Sequence, residues 1–136
     1  MIQHIHHINI VVRDLDVALV RYQQLLGDIT PIRADLPGRG VRTARFLLGH
    51  TWLVLLQPVA DGAPARALAA HSEGVFLVSF GVDGLAEETA ALRSRGIKTD
   101  GPPRSGLADW KIVDLGSAFQ PGLTVQICES AAESTR

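Results

Sequence analysis

The feature that most constrains this chain is that its punctuation occurs twice. Displaced by 70 residues, "HINIVVRDL" (7–15) falls on "LVSFGVDGL" (77–85), so that Val12 meets Val82 and Leu15 meets Leu85. The segment after each copy reads as a helix. In "DLDVALVRYQQLLG", Asp14 is placed to cap the N-terminus, Leu15, Leu19, Tyr22 and Leu26 recur at helical spacing, and Gly27 suits the C-terminal cap. In "GLAEETAALRSRG" (84–96) a second helix runs up to a closing glycine. Further on, Leu48-Gly49 corresponds to Leu115-Gly116, and "TWLVLLQ" (51–57) to "LTVQICE" (123–129). The letters mostly differ while the order of elements agrees, which is the mark of a tandem duplication.

The strands follow from composition and from their breakers. "HINIVV" (7–12) is β-branched and compact. "ITPIRADL" leads through the Pro-Gly-Arg-Gly turn (37–40) into "VRTARFLL", and Gly49-His50 turns the chain into "TWLVLLQP", which Pro58 ends. A polar, Ala- and Pro-rich connection spans 60–74, with one short helix over 65–72. "VFLVSFGV" (75–82), "DWKIVDL" (109–115) and "LTVQICE" (123–129) are strands, "IKTDGPP" is a poor edge strand or a turn, and 130–136 reads as a loose tail. The expected class is α+β: two tandem βαβββ modules, about 1–60 and about 74–130, within a single domain covering 1–136.

Composition removes several functions. A formal charge of −1 and a pI near 6.5 leave no basic field for nucleic acid or an anionic membrane. No apolar run approaches the roughly 18 residues needed to span a bilayer. Residues 1–12 lack the basic start and long apolar stretch of a secretory signal. Cys128 is the single cysteine, so an internal disulfide is excluded and a reducing cytoplasm is expected. No C-x-x-C or other activating motif surrounds it, and it reads as a buried, inert thiol.

Taken together, "HHINIVVRDLDVALVRYQQLLG", "VRTARFLLGHTWLVLLQP", "EGVFLVSFGVDGLAEETAALRSRGI" and "PGLTVQICE" are similar to the vicinal oxygen chelate superfamily. That superfamily includes glyoxalase I, methylmalonyl-CoA epimerase, extradiol dioxygenases and bleomycin-resistance proteins. The resemblance covers about residues 4–129 and lies nearest the epimerase and glyoxalase branch. It implies two βαβββ modules in a half-open barrel around one cavity, a divalent metal, an oxygenated substrate and a homodimer. The metal ligands of the family sit in the first and last strand of each module, and here those positions fall on His7, Val54, Leu77 and Gln126. Valine and leucine cannot coordinate a metal, and a slip of one residue brings up only Leu53, Leu55, Phe76 or Val78. The family metal site is therefore expected to be lost, with no metal and no cofactor. His4 and His6 share a strand face and could chelate from it, but alternation turns them away from His7 and no third ligand can be named.

With His7 marking the ligand-facing side, alternation assigns Asn9, Trp52, Ser79 and Gln126 to the same lining. Ile10, Val12, Leu55, Phe80, Val125 and Ile127 fall on the opposite, helix-covered face. If Ala44, Phe46 and Leu48 turn toward the helix, Arg45 faces the ligand and suits a carboxylate or phosphate; the alternative is a head group in water at the sheet rim. Trp52 and Trp110 either stack on a ligand or fill space, and the facing of the 109–115 strand is open. His7 is the candidate general base, or only a hydrogen-bonding strand residue. Two functions follow. One is a metal-independent isomerase, epimerase or lyase using His7 on a small organic ligand that is anionic or contains a carbonyl. The other is a non-catalytic binding or sequestration protein of the bleomycin-resistance type.

Overall fold

The computed structural model describes residues 1–131, and the remainder of the expected tail lies outside them. The element order repeats as read from the sequence. The first set is β1 (Ile2–Val11), α1 (Leu15–Leu26), β2 (Ile32–Leu36), β3 (Val41–Leu48) and β4 (Thr51–Pro58). After α2 (Ala63–His71) come β5 (Gly74–Val82), α3 (Leu85–Ser94), β6 (Thr99–Ser105), β7 (Lys111–Leu115) and β8 (Thr124–Glu129). The weak "IKTDGPP" segment does form a strand. Its register against β7 shifts between Asp100 and Arg104, where Pro102 and Pro103 have no N–H to donate.

Two compact units divide the chain, one of Ile8–Phe76 and one of Met1–His7 with the chain from Leu77 onward. In the Ile8–Phe76 unit the strands lie in the order β2-β3-β4-β1. Asp14 caps α1 as expected, its Oδ1 accepting from Val17 N at 3.1 Å, and Gly27 ends the helix at φ 81°, a conformation that favours glycine. The helix buries Leu15, Ala18 and Leu19 against Val12, Ala44, Phe46 and Leu55. Phe46, Leu15 and Leu55 are fully buried, each contributing about 1.5–3 kcal/mol of apolar burial.

The other unit repeats the pattern with the order β1-β5-β8-β7-β6. There α3 packs Leu85 and Leu92 on Val82, Val113, Leu115, Val125 and Ile127. The duplication shows even in the helix caps. Gln57 Oε1 accepts from Leu15 N at 2.8 Å, and Glu129 Oε1 accepts from Gly84 N at 2.8 Å and Leu85 N at 3.2 Å. In both cases the last residue but one, or the last, of the fourth strand closes the helix that follows the first. Residues 130 and 131 are not loose: Ser130 Oγ lies 3.3 Å from Asp109 Oδ1, and Ala131 N donates to Asp109 Oδ2 at 3.1 Å.

Candidate functional site

Register decides which side chains share a face. In the unit containing β8, Ser79 pairs with Gln126 and Gly81 with Cys128, while Asp114 pairs with Gln126 and Ile112 with Cys128. Paired residues point the same way. The alternate set, Phe80, Val113, Val125 and Ile127, packs with α3, so Ser79, Ile112, Asp114, Gln126 and Cys128 lie on the face away from that helix. This resolves the facing of the 109–115 strand. Ser79, Gln126 and Cys128 are buried, and among the described residues Ser79 Oγ and Gln126 Oε1 have no hydrogen-bond partner.

All three N-terminal histidines collect on this face, which corrects the expectation that His4 and His6 turn away from His7. His6 Nδ1 and His7 Nδ1 are 2.9 Å apart, so one neutral ring donates its N–H to the bare nitrogen of the other. Their side chains are 0% and 2% exposed. Strict alternation therefore does not hold at this step of β1. The His4 ring centroid is 6.0 Å from that of His6, and a methyl group added at Gly81 would overlap the His4 ring. A glycine at position 81 is what leaves that ring its space.

Trp110 closes the group. A turn just before β7, with Trp110 N donating to Leu107 O and Gly106 N to Trp110 O, both at 2.9 Å, brings the indole in. It stacks on His7 at 4.5 Å between centroids and 19° between planes, and meets His6 edge-on at 4.7 Å and 84°. Trp110 thus covers the imidazole rather than standing open to solvent, being 3% exposed itself.

A charged network lies beside these rings. Asp114 takes a bidentate contact from Arg104, at 2.7 Å from Nε and 3.1 Å from Nη2, and accepts from Gln126 Nε2 at 2.8 Å. Asp114 thereby fixes the Gln126 amide with its nitrogen occupied and its oxygen turned elsewhere. Burial, and after it the charge interaction with neighbouring His6, hold the His7 imidazole far below its usual 6.5, at about 3. The Gln126 amide works in the opposite direction, although its oxygen makes no hydrogen bond of good geometry, and the Arg104 guanidinium adds to the lowering. At neutral pH, His7 is an uncharged ring.

The remaining expected site residues lie in the Ile8–Phe76 unit. Arg45 pairs in register with Val54, and Leu47 with Trp52, on the face opposite Ala44, Phe46 and Leu55. Arg45 is 8% exposed, not a rim residue, and its guanidinium stacks over Trp52 at 5.0 Å from the ring centroid. Burial lowers its pKa from the usual value. Asn9 is half-buried, with its Oδ1 unpartnered among the described residues. Val54 is 0% exposed and Leu77 6%, each as hydrocarbon where the family would place a ligand. Sequence reasoning placed Asp114 on a strand of open facing and did not single out Arg104, which lies on the weakly signalled β6; Cys128 is buried, as read from the sequence.

Comparison with known proteins agrees with this geometry. A family model for the Glyoxalase/Bleomycin resistance protein/Dioxygenase superfamily matches residues 6–113. The ethylmalonyl-CoA/methylmalonyl-CoA epimerase of Cereibacter sphaeroides is 26% identical over 110 residues, 78% of this chain and 82% of that protein. A variant of Streptomyces coelicolor methylmalonyl-CoA epimerase, solved in complex with 2-nitronate-propionyl-CoA, is 28% identical and superposes with a TM-score of 0.85 over 97% of both chains. Methylmalonyl-CoA epimerase from Mycobacterium tuberculosis, 23% identical, shares the fold at a TM-score of 0.87, with 98% of this chain and 92% of that one covered. These relatives are of the epimerase branch to which the sequence motifs pointed. Among the described residues, no helix is long and apolar enough to cross a membrane.

Proposed function

This chain belongs to the Glyoxalase/Bleomycin resistance protein/Dioxygenase superfamily, and from that premise we propose that it binds a small organic ligand bearing an acyl carbonyl or an anionic group without using the family's metal ligands. The observation that carries this is the pair of buried hydrocarbons, Val54 and Leu77, at two of the four ligand positions. Two protein donors do not hold the family's oxygen-seeking cation, so no step passes through one. Relatives whose names and complexes involve acyl-CoA thioesters support that ligand class. Arg45, desolvated and stacked on Trp52, offers a pre-oriented charge for a carboxylate or phosphate. In the same unit as Arg45, Asn9 contributes a buried oxygen able to bond a polar group.

His7 is poorly placed to abstract a proton, being 2% exposed with its Nδ1 against that of His6. A base with a pKa of about 3 has little driving force to take a proton from carbon at neutral pH. Its ring is also stacked beneath Trp110. Binding or sequestration is therefore the reading the geometry favours over an isomerase, epimerase or lyase. A homodimer in a reducing cytoplasm belongs to the same proposal on family grounds.

Calorimetry with malonyl-, methylmalonyl- and propionyl-CoA, followed by magnetic resonance of the α-carbon proton in deuterated buffer, tests it. Saturable binding without exchange of that proton is the expected result, with R45A weakening the malonyl thioesters most. Exchange that disappears in H7Q would establish the catalytic alternative instead. Absence of binding across the panel would refute the ligand class.

A further inference from the structure

We propose that His6, His7 and Cys128 form a binding site for a borderline-soft transition-metal ion of the zinc(II) class, unlike the site the family carries. One ligand atom from each of the three lies within 4.8 Å of the others, and all three residues are buried. Of the four family positions only His7 takes part. His6 and Cys128 come from the neighbouring residue on β1 and from the strand position paired with Gly81. The expectation of no metal concerned the family positions at Val54 and Leu77, and the donor group proposed here is a different one.

The donor set selects the ion. Two neutral imidazoles and a thiol suit zinc or copper, whereas magnesium and calcium require oxygen ligands. The imidazole pair is close to the spacing binding requires, and the sulfur must come to about 3.5 Å from each nitrogen, inside the 4.8 Å that bounds the group. With metal–nitrogen bonds of about 2.0–2.1 Å, two nitrogens 2.9 Å apart subtend about 90° at the ion, and parting by a few tenths of an ångström brings them to tetrahedral spacing. The surroundings also suit a bound cation. Gln126, two residues before Cys128 and on the same face, is 1% exposed; Asp114 holds its nitrogen, and among the described residues its Oε1, turned toward His7, makes no hydrogen bond of good geometry. That oxygen is the group whose dipole favours a positive charge at the rings, while the Asp114 carboxylate behind it is neutralised by Arg104. Trp110, packed on both rings, keeps their planes in place, as groups around metal ligands commonly do.

Binding breaks the Cys128 S–H bond, forms a sulfur–metal bond, and releases one proton to the buffer. No oxidant or reductant takes part. The site does not rest on the proposal of an acyl ligand, and each can fail without the other.

Cobalt(II) serves as a spectroscopic probe, added to the full untagged chain under anaerobic conditions with a non-thiol reductant. The expected result is one equivalent bound, with a thiolate-to-cobalt charge-transfer band in the near ultraviolet that zinc(II) displaces. C128S should abolish the band, H6Q and H7Q should each lower affinity by at least about tenfold, a loss that even removing a residue supporting a ligand can bring, and H4Q should change nothing. A folded wild-type protein without the charge-transfer band overturns the proposal, whatever the variants do. So does a band that persists in C128S, or undiminished affinity in a folded H6Q.

Discussion

Replacing Glu129 with alanine should destabilise the fold about twice as much as replacing its repeat partner Gln57. Glu129 Oε1 satisfies two backbone donors at the start of α3, Gly84 N at 2.8 Å and Leu85 N at 3.2 Å. Position 84 is a glycine and has no side chain to take over. Gln57 satisfies one donor, Leu15 N at 2.8 Å, and Asp14 still caps the same helix through Val17 N. A hydrogen bond to a charged acceptor contributes about 1.5–3 kcal/mol and a neutral one about 0.5–1.5 kcal/mol. A carboxylate at a helix N-terminus adds about 0.3–1 kcal/mol, part of which is screened here because Glu129 is only half-buried. Both bonds share one oxygen of a half-exposed carboxylate and the second is long, so E129A should cost about 2 kcal/mol, the worth of one charged hydrogen bond, and Q57A about 1 kcal/mol. E129Q, which keeps an acceptor but loses the charge, should fall between wild type and E129A. Urea unfolding at neutral pH reads these differences as shifts in midpoint at constant slope. Should Q57A prove as costly as E129A, or E129Q as costly as E129A, the capping account of the duplicated helices is wrong.

Two further outcomes follow from the buried rings and the charges beside them. In chelator, stability should be full above about pH 6.5 and decline as the pH falls, because the unfolded His7 gains a proton near 6.5 that the fold refuses until about 3. The loss by pH 5 should be about 2 kcal/mol, and an H7Q variant that retains the wild-type slope would show that His7 is not its source. D114A should cost about 2 kcal/mol by stranding Arg104 and releasing the Gln126 amide, and R104A in the same chain should recover part of it. Strict additivity in that double-mutant cycle would mean that the bidentate contact carries no coupling.

Local chemistry and simple periodicity carried most of the fold. Asp14 and Gly27 bound α1 because an aspartate and a glycine satisfy helix ends by their own side chain or backbone freedom, whatever surrounds them. Ala44, Phe46, Ile10, Val12, Val125 and Ile127 pack with the helices because an apolar residue at every second strand position has only one face on which to be buried. The site itself was decided in three dimensions. Asp114 acquired a role only once β7 paired with β8 and set it beside Gln126, and Arg104 only once an irregular edge strand brought it to that carboxylate. Cys128 has no motif around it, and joins two histidines about 120 residues away solely through strand pairing. Above all, His6 and His7 should oppose each other by alternation, yet their nitrogens meet at 2.9 Å. Period-two alternation describes a regular strand, whereas the direction of one side chain at a local irregularity is set by its neighbours, here the indole of Trp110 packed on both rings.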